Sequence, residues 1–219
     1  MKNKFKYYTL VFLFVSCGIS NEKKTIKNTI EISLSTDSLQ RDTIELKEIF
    51  NEQDLPANEY LTNRLKPVRE NFKRINSITN WTSIDTEELP GSAEGGEAKF
   101  YYENKQLKKI VTRLYGETFQ SLTEYYLLNG QLSFVFEKTL RYNRPFYYDT
   151  TAMKENNDTE AFDPKKSGVM EDRSYFENGK LLHQISNQDC GSPFSNDYLL
   201  EEQKRIKTDF DKLIVQAKK

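Results

Sequence analysis

The spacing of hydrophobic positions changes character along this chain. Between residues 57 and 79, Leu61, Leu65, Val68, Phe72, Ile75 and Ile78 recur at steps of three or four. That spacing predicts an amphipathic helix with one apolar stripe. Pro67 falls inside the stripe, so the helix is expected to kink there or to begin afresh with Pro67 in its first turn. Trp81 closes the segment and reads as a plug for the core. From about residue 97 the period becomes two. Leu132, Phe134, Phe136, Leu140 and Tyr142 are expected on one face of a strand, with Lys138 breaking the series. Ser133, Glu137, Thr139 and Arg141 are expected on the other, with Val135 among them. Residues 107–115 and 118–128 read the same way. Near the C-terminus the helical period returns. Ser195 or Asn196 is placed to cap a helix whose stripe is Leu199, Ile206, Phe210, Leu213 and Ile214. Lys218 and Lys219 suit the negative end of its dipole.

Asn129-Gly130 and Asn178-Gly179 predict type I′ hairpin turns, since both residue types tolerate positive φ. These turns belong to a weak internal repeat. Tyr101-Tyr102-Glu103-Asn104-Lys105-Gln106-Leu107 aligns with Tyr126-Leu127-Leu128-Asn129-Gly130-Gln131-Leu132 and with Tyr175-Phe176-Glu177-Asn178-Gly179-Lys180-Leu181. The Asn positions lie 25 and then 49 residues apart, which reads as one and then two periods with a copy missing near residue 153. The pattern is similar to the aromatic-x-Asn-Gly-x-Leu hairpins of exported β-meander repeat proteins, including MORN-like ones. We read it as hairpin grammar rather than family membership, because an aromatic before the turn and a Leu after it suit cross-strand packing.

Segregated helical and strand periods predict an α+β fold. The expectation is an antiparallel β-meander of five to six strands, with an N-terminal helix and a C-terminal helix packed on one face. Residues 143–168, polar and holding Pro145 and Pro164, read as a long loop.

The N-terminus carries a different signal. Lys2, Lys4 and Lys6 precede the apolar run Tyr7 to Val15, and small residues follow. That order is a secretory signal peptide, and its core is too short for a permanent membrane span. Phe14-Val15-Ser16-Cys17 resembles the lipobox of bacterial lipoproteins, with Phe14 where Leu is usual. The resemblance implies cleavage before Cys17 and transfer of a diacylglyceryl group to its thiol. Gly18, not Asp, follows the cysteine, which implies the outer membrane of a Gram-negative bacterium. Several acyl chains, at about 0.8 kcal/mol per buried methylene, make a stable anchor. The rival reading is ordinary secretion, because Ser16-Cys17-Gly18 and Gly18-Ile19-Ser20 also have a small-x-small form. The expected organisation is therefore signal peptide 1–16, lipid-anchored flexible tether 17–55 and a single domain 56–219. The tether contains Asp37-Ser38-Leu39 and Asp42-Thr43-Ile44, which resemble acceptors of a bacterial O-glycosylation system.

Composition narrows the chemistry. Removing residues 1–16 removes three lysines and no acid, so the formal charge moves from −1 to −4. No global charge argues for nucleic acid. Lipidation of Cys17 leaves Cys190 without an intramolecular partner, so stability must come from a core. The 14 Phe and 13 Tyr are ample for one. A single histidine, His183, excludes a two-His metal site within one chain, and its spacing from Cys190 matches no nucleophile–base pattern. Glu155, Asp158, Glu160 and Asp163 cluster without the spacing of a calcium loop and read as solvated charge. The glycines in PGSAEGGE match no phosphate cradle, and no cofactor motif is present.

Tyr142, Phe146, Tyr147 and Tyr148, at a strand end and loop entry, are the candidate partner-binding aromatics. Tyr101, Tyr102, Tyr125 and Tyr126 sit beside hairpins, and alternation assigns about half of such rings to the core. No catalytic residue stands out. The leading expectation is a non-enzymatic, membrane-tethered module that binds a protein or glycan of the envelope. A glycan hydrolase using paired carboxylates and an inhibitor or immunity lipoprotein remain open alternatives.

Overall fold

The structure, a computed structural model, describes residues 61–90, 92–188 and 194–217. Cys17, Cys190, the 17–55 segment and both Asp-Ser/Thr-apolar motifs lie outside the described residues.

The order is α1 (Thr62–Asn76), β1 (Ser83–Glu88), β2 (Gly96–Glu103), β3 (Gln106–Gly116), β4 (Phe119–Leu128), β5 (Gln131–Arg141), α2 (Thr150–Glu155), β6 (Gly168–Glu177), β7 (Lys180–Ser186) and α3 (Asn196–Gln216). The seven strands form one antiparallel sheet in sequence order. Seven replaces the expected five to six because β1 carries no hydrophobic alternation. Its sequence, SIDTEE, is exposed at every position. Pairing with β2 holds it in the sheet, so no apolar face was needed or written.

Three hairpins share one construction. Each turn has two central residues at positive φ: Asn104-Lys105, Asn129-Gly130 and Asn178-Gly179. Each then places one extra residue on the returning strand. Tyr101 pairs with Lys109 but Tyr102 with Leu107, leaving Lys108 unpaired. Tyr126 pairs with Phe134 but Leu127 with Leu132, leaving Ser133. Tyr175 pairs with His183 but Phe176 with Leu181, leaving Leu182. These are β-bulges, which reset the side-chain alternation by one residue. No copy of the repeat is missing. The β3–β4 link has two residues and the β5–β6 link has 26, longer by 24, while the Asn spacing grows from 25 to 49, also by 24. The second interval is one period plus an insertion.

The bulge at Ser133 corrects the face assignment of β5. Leu132 does not join Phe134 and Phe136. It shares a cluster with Val135, Tyr125, Phe100, Ile110 and the α3 residues Ile206, Phe210 and Leu213. Phe134 and Phe136 face the other way, with Tyr126, Tyr175 and the α1 residues Leu61, Leu65, Val68 and Ile75. The C-terminal helix packs on one face of the sheet, as expected, and α1 covers the opposite face. Each large side chain so buried contributes about 1.5–3 kcal/mol.

Helix α1 carries the predicted stripe from Leu65 to Ile75 but ends at Asn76, before Ile78, and it runs through Pro67, its sixth residue, rather than starting there. Phe72 packs 5.0 Å from the Tyr126 ring and 5.3 Å from Phe134. Trp81 meets Tyr101 edge-on at 5.2 Å. On α3, the Ser195 side chain accepts from Tyr198 N, the predicted cap. The helix crosses the sheet diagonally. Gln203 Oε1 accepts from Leu181 N in β7 (2.8 Å), Phe210 lies 5.9 Å from Tyr125 in β4, and the Tyr102 hydroxyl in β2 donates to Ala217 O (3.2 Å).

The α1 side of the sheet also buries charge. Lys109 and Glu124 pair at 2.9 Å with side chains 4% and 2% exposed, and Lys138 pairs with Glu171 at 2.8 Å. Lys138, which broke the apolar series in the sequence, is buried by virtue of that partner.

The 143–168 segment is not a featureless loop. It holds α2, capped by Asp149, and a turn of 3-10 helix at Pro164–Lys166. Arg144 pairs with Asp158 at 2.9 Å and Lys166 with Glu160 at 2.8 Å. The backbone of Phe146 donates to Glu117 O at the β3–β4 turn (2.8 Å). Asp163 caps the 3-10 turn. Three members of the acidic cluster are thus used as ion-pair partners or caps, and Glu155 is exposed.

Candidate functional site

Strand register builds a polar row across the α3 side of the sheet. Thr112 pairs with Thr123, Thr123 with Glu137, Glu137 with Asp172 and Asp172 with Ser186. The next row on that face brings Leu114, Ser121, Thr139 and Met170 together. Alternation puts both rows on the face that carries the α3 cluster. Because α3 crosses nearer the Asn turns, these rows form a shelf beside it. The wall of the shelf is the helix edge Tyr198, Glu202, Arg205 and Asp209, at steps of four, three and four.

The floor sets two carboxylates, Glu137 and Asp172, directly opposite each other. Like charges in that position repel. Arg205 answers one of them: its Nη1 and Nη2 donate to the two Glu137 oxygens at 2.9 and 2.7 Å, and Nη2 also donates to Glu202 at 2.7 Å. These bonds hold the guanidinium charged beyond its ordinary range, with Glu137 the main cause. Asp172, half-buried, takes no hydrogen bond or ion pair among the described residues. Around the two carboxylates, phenols are suppressed as acids. Burial pushes Tyr198 up, reinforced by Glu202 and Asp172, and burial pushes Tyr125 up, reinforced by Glu137 and Asp209. Beneath α3, one row inward, Ser174 Oγ and Gln184 Oε1 are buried with no hydrogen-bond partner among the described residues. Phe194 stacks on Tyr198 at 4.8 Å, and Tyr198 is 40% exposed. Chemically, the shelf is rich in acceptors and hydroxyls, with an aromatic edge. It suits a ligand that brings hydrogen-bond donors.

Of the aromatics singled out in the sequence, Phe146 and Tyr147 are in ring contact, while Tyr142 packs on Phe162 and Tyr148 on Arg144. Tyr142 accepts from Gln120 Nε2 (3.0 Å) and packs edge-on to Phe162. Phe146 meets Tyr147 edge-on, and Tyr147, 57% exposed, directs its hydroxyl to Glu117 at 3.3 Å. Tyr148 directs its hydroxyl to Asp158 and lies under the Arg144 guanidinium. Tyr125 and Tyr126 are core residues under α3 and α1 respectively. His183 is half-buried and stacks on Tyr175 at 6.1 Å. Among the described residues no group of three His, Cys, Asp or Glu side chains is placed to hold a metal ion. Among them, too, no helix is long and apolar enough to cross a membrane.

Sequence reasoning missed Glu137, Asp172 and Arg205. They come from β5, β6 and α3, and only strand register and the helix crossing bring them together. The one local signal was an acid in the middle of each of two adjacent strands. Comparison with protein-family models, curated proteins and solved structures finds no match to this chain.

Proposed function

We propose that this chain is a lipid-anchored binding module of the bacterial cell envelope. Cys17 would carry the lipid, and the shelf beside α3 would receive the partner. The order of lysines, short apolar core and lipobox-like Phe14-Val15-Ser16-Cys17 motivates the anchor, and Gly18 favours the outer membrane. The observation that carries the binding reading is Asp172, a half-buried carboxylate without a counter-ion among the described residues, beside one that Arg205 neutralises. Such an arrangement attracts a donor-bearing or cationic group of an envelope protein or glycan.

Glycan hydrolysis is the second reading, favoured by the same adjacent carboxylates. Arg205 argues against it, because both Glu137 oxygens are already taken as acceptors by its guanidinium. An inhibitor or immunity lipoprotein would be one form of the binding reading.

The test has two arms. Mass spectrometry of the mature N-terminus should find acyl mass on Cys17, and Cys17→Ala should release the protein from membranes. Co-purification from native envelopes should recover a protein or glycan that Asp172→Lys loses. Glycan hydrolysis by the pure protein, with no partner recovered, would overturn the binding reading. An unmodified terminus at Ile19 or Asn21 would overturn the anchor.

A further inference from the structure

The last strand of the sheet on the β2 side is open. β1 is exposed at all six positions. Its inner edge pairs with β2, from Ser83 opposite Tyr102 to Glu88 opposite Glu97. Leu89 N donates to Gly96 O at 2.9 Å, which fixes the parity of the ladder. Ser83, Asp85 and Glu87 bond inward, so the N–H and C=O groups of Ile84, Thr86 and Glu88 point outward. The opposite edge strand is treated differently: at β7 the side chain of Gln203 takes the Leu181 N–H. Among the described residues β1 has no such cover. Its exposed apolar side chain is Ile84, at 48%.

Open edges recruit strands, and side-chain charge decides which strands. Asp85, Glu87 and Glu88 make this edge acidic, with no basic residue in the strand. A second copy pairing antiparallel about Thr86 would set Asp85 opposite Glu87 twice over, which like-charge repulsion disfavours. We infer that β1 is a docking edge for an extended segment of another protein, one that alternates lysine or arginine with β-branched residues. Main-chain bonds to Ile84, Thr86 and Glu88 supply the pairing. Asp85 and Glu87 on one face and Glu88 on the other select the basic residues. This site is separate from the shelf and stands or falls independently of it.

The test uses the full chain and a synthetic probe, acetyl-Lys-Thr-Lys-Val-Lys-Thr-amide. Calorimetry should give saturable binding that weakens with salt, and amide exchange should slow at Ile84, Thr86 and Glu88. Thr86→Pro removes an outward N–H that β2 does not use, a position where proline is tolerated. It should cut affinity about tenfold, the scale of a lost main-chain bond plus a blocked edge, with an unchanged unfolding midpoint. Asp85→Asn with Glu87→Gln should weaken binding without touching the backbone. The inference is overturned if the probe does not bind. It is equally overturned if a glutamate version of the probe binds as well, or if exchange slows elsewhere and not at these three amides.

Discussion

Removing the ammonium of Lys109 tests the buried charge on the α1 side of the sheet. Its Nζ lies 2.9 Å from Glu124, with both side chains almost fully enclosed, and 5.1 Å from the centre of the Tyr126 ring. The Tyr126 hydroxyl donates to the same carboxylate and lies 3.0 Å from Asn76 Oδ1. Lys109→Met keeps most of the side-chain volume and deletes the charge. Glu124 is then a buried carboxylate held by one phenol. Breaking a buried pair from one side costs about 3–5 kcal/mol, because the surviving charge stays desolvated. That is a large share of the roughly 5–15 kcal/mol that stabilises a whole domain. At about 2–4 °C per kcal/mol for a chain of this size, the midpoint should fall by roughly 6–20 °C. The double variant Lys109→Met with Glu124→Leu should recover most of the loss, since an apolar replacement for an ion pair is often neutral or better. Urea unfolding of the four proteins closes the cycle. A single-variant cost under about 1 kcal/mol would refute the claim that the pair is desolvated. So would a double variant as unstable as the sum of the two singles.

Two further predictions follow from the repeat and from His183. Lys105→Gly gives the first hairpin the Asn-Gly turn of the other two and relieves a non-glycine residue at φ 61°. Chemical denaturation should show a gain of about 0.5–1 kcal/mol, and a loss of stability would refute the turn equivalence. Burial, with Arg69 adding to it, holds the His183 imidazole below its ordinary range. The folded chain therefore binds fewer protons than the unfolded one just below pH of about 6.5, and stability falls as pH drops through that window. His183→Gln should flatten this part of the pH profile in urea midpoints. An unchanged profile would sink the assignment.

What the sequence determined by itself was local. The stripe from Leu61 to Ile75, the Ser195 cap, the α3 stripe and the Asn-Gly turns follow from residue spacing and backbone preference, which need no knowledge of the rest of the chain. The repeat was legible too, but its meaning was not. One extra residue in each returning strand sends Leu107, Leu132 and Leu181 to the α3 side, and a bulge leaves no mark in a binary pattern because Ser133, Lys108 and Leu182 share no chemistry. β1 was invisible because its partner supplies all of its structure. Tertiary structure alone decided which rings of the aromatic chain are core and which are surface. Tyr125 and Tyr126, adjacent in sequence, are buried under different helices. It also made Lys138 a core residue, since burying an ammonium depends on a carboxylate from another strand. The shelf is the extreme case. Glu137, Asp172 and Arg205 are unremarkable in sequence. They become a site only because antiparallel register sets two acids face to face and a diagonal helix neutralises one of them.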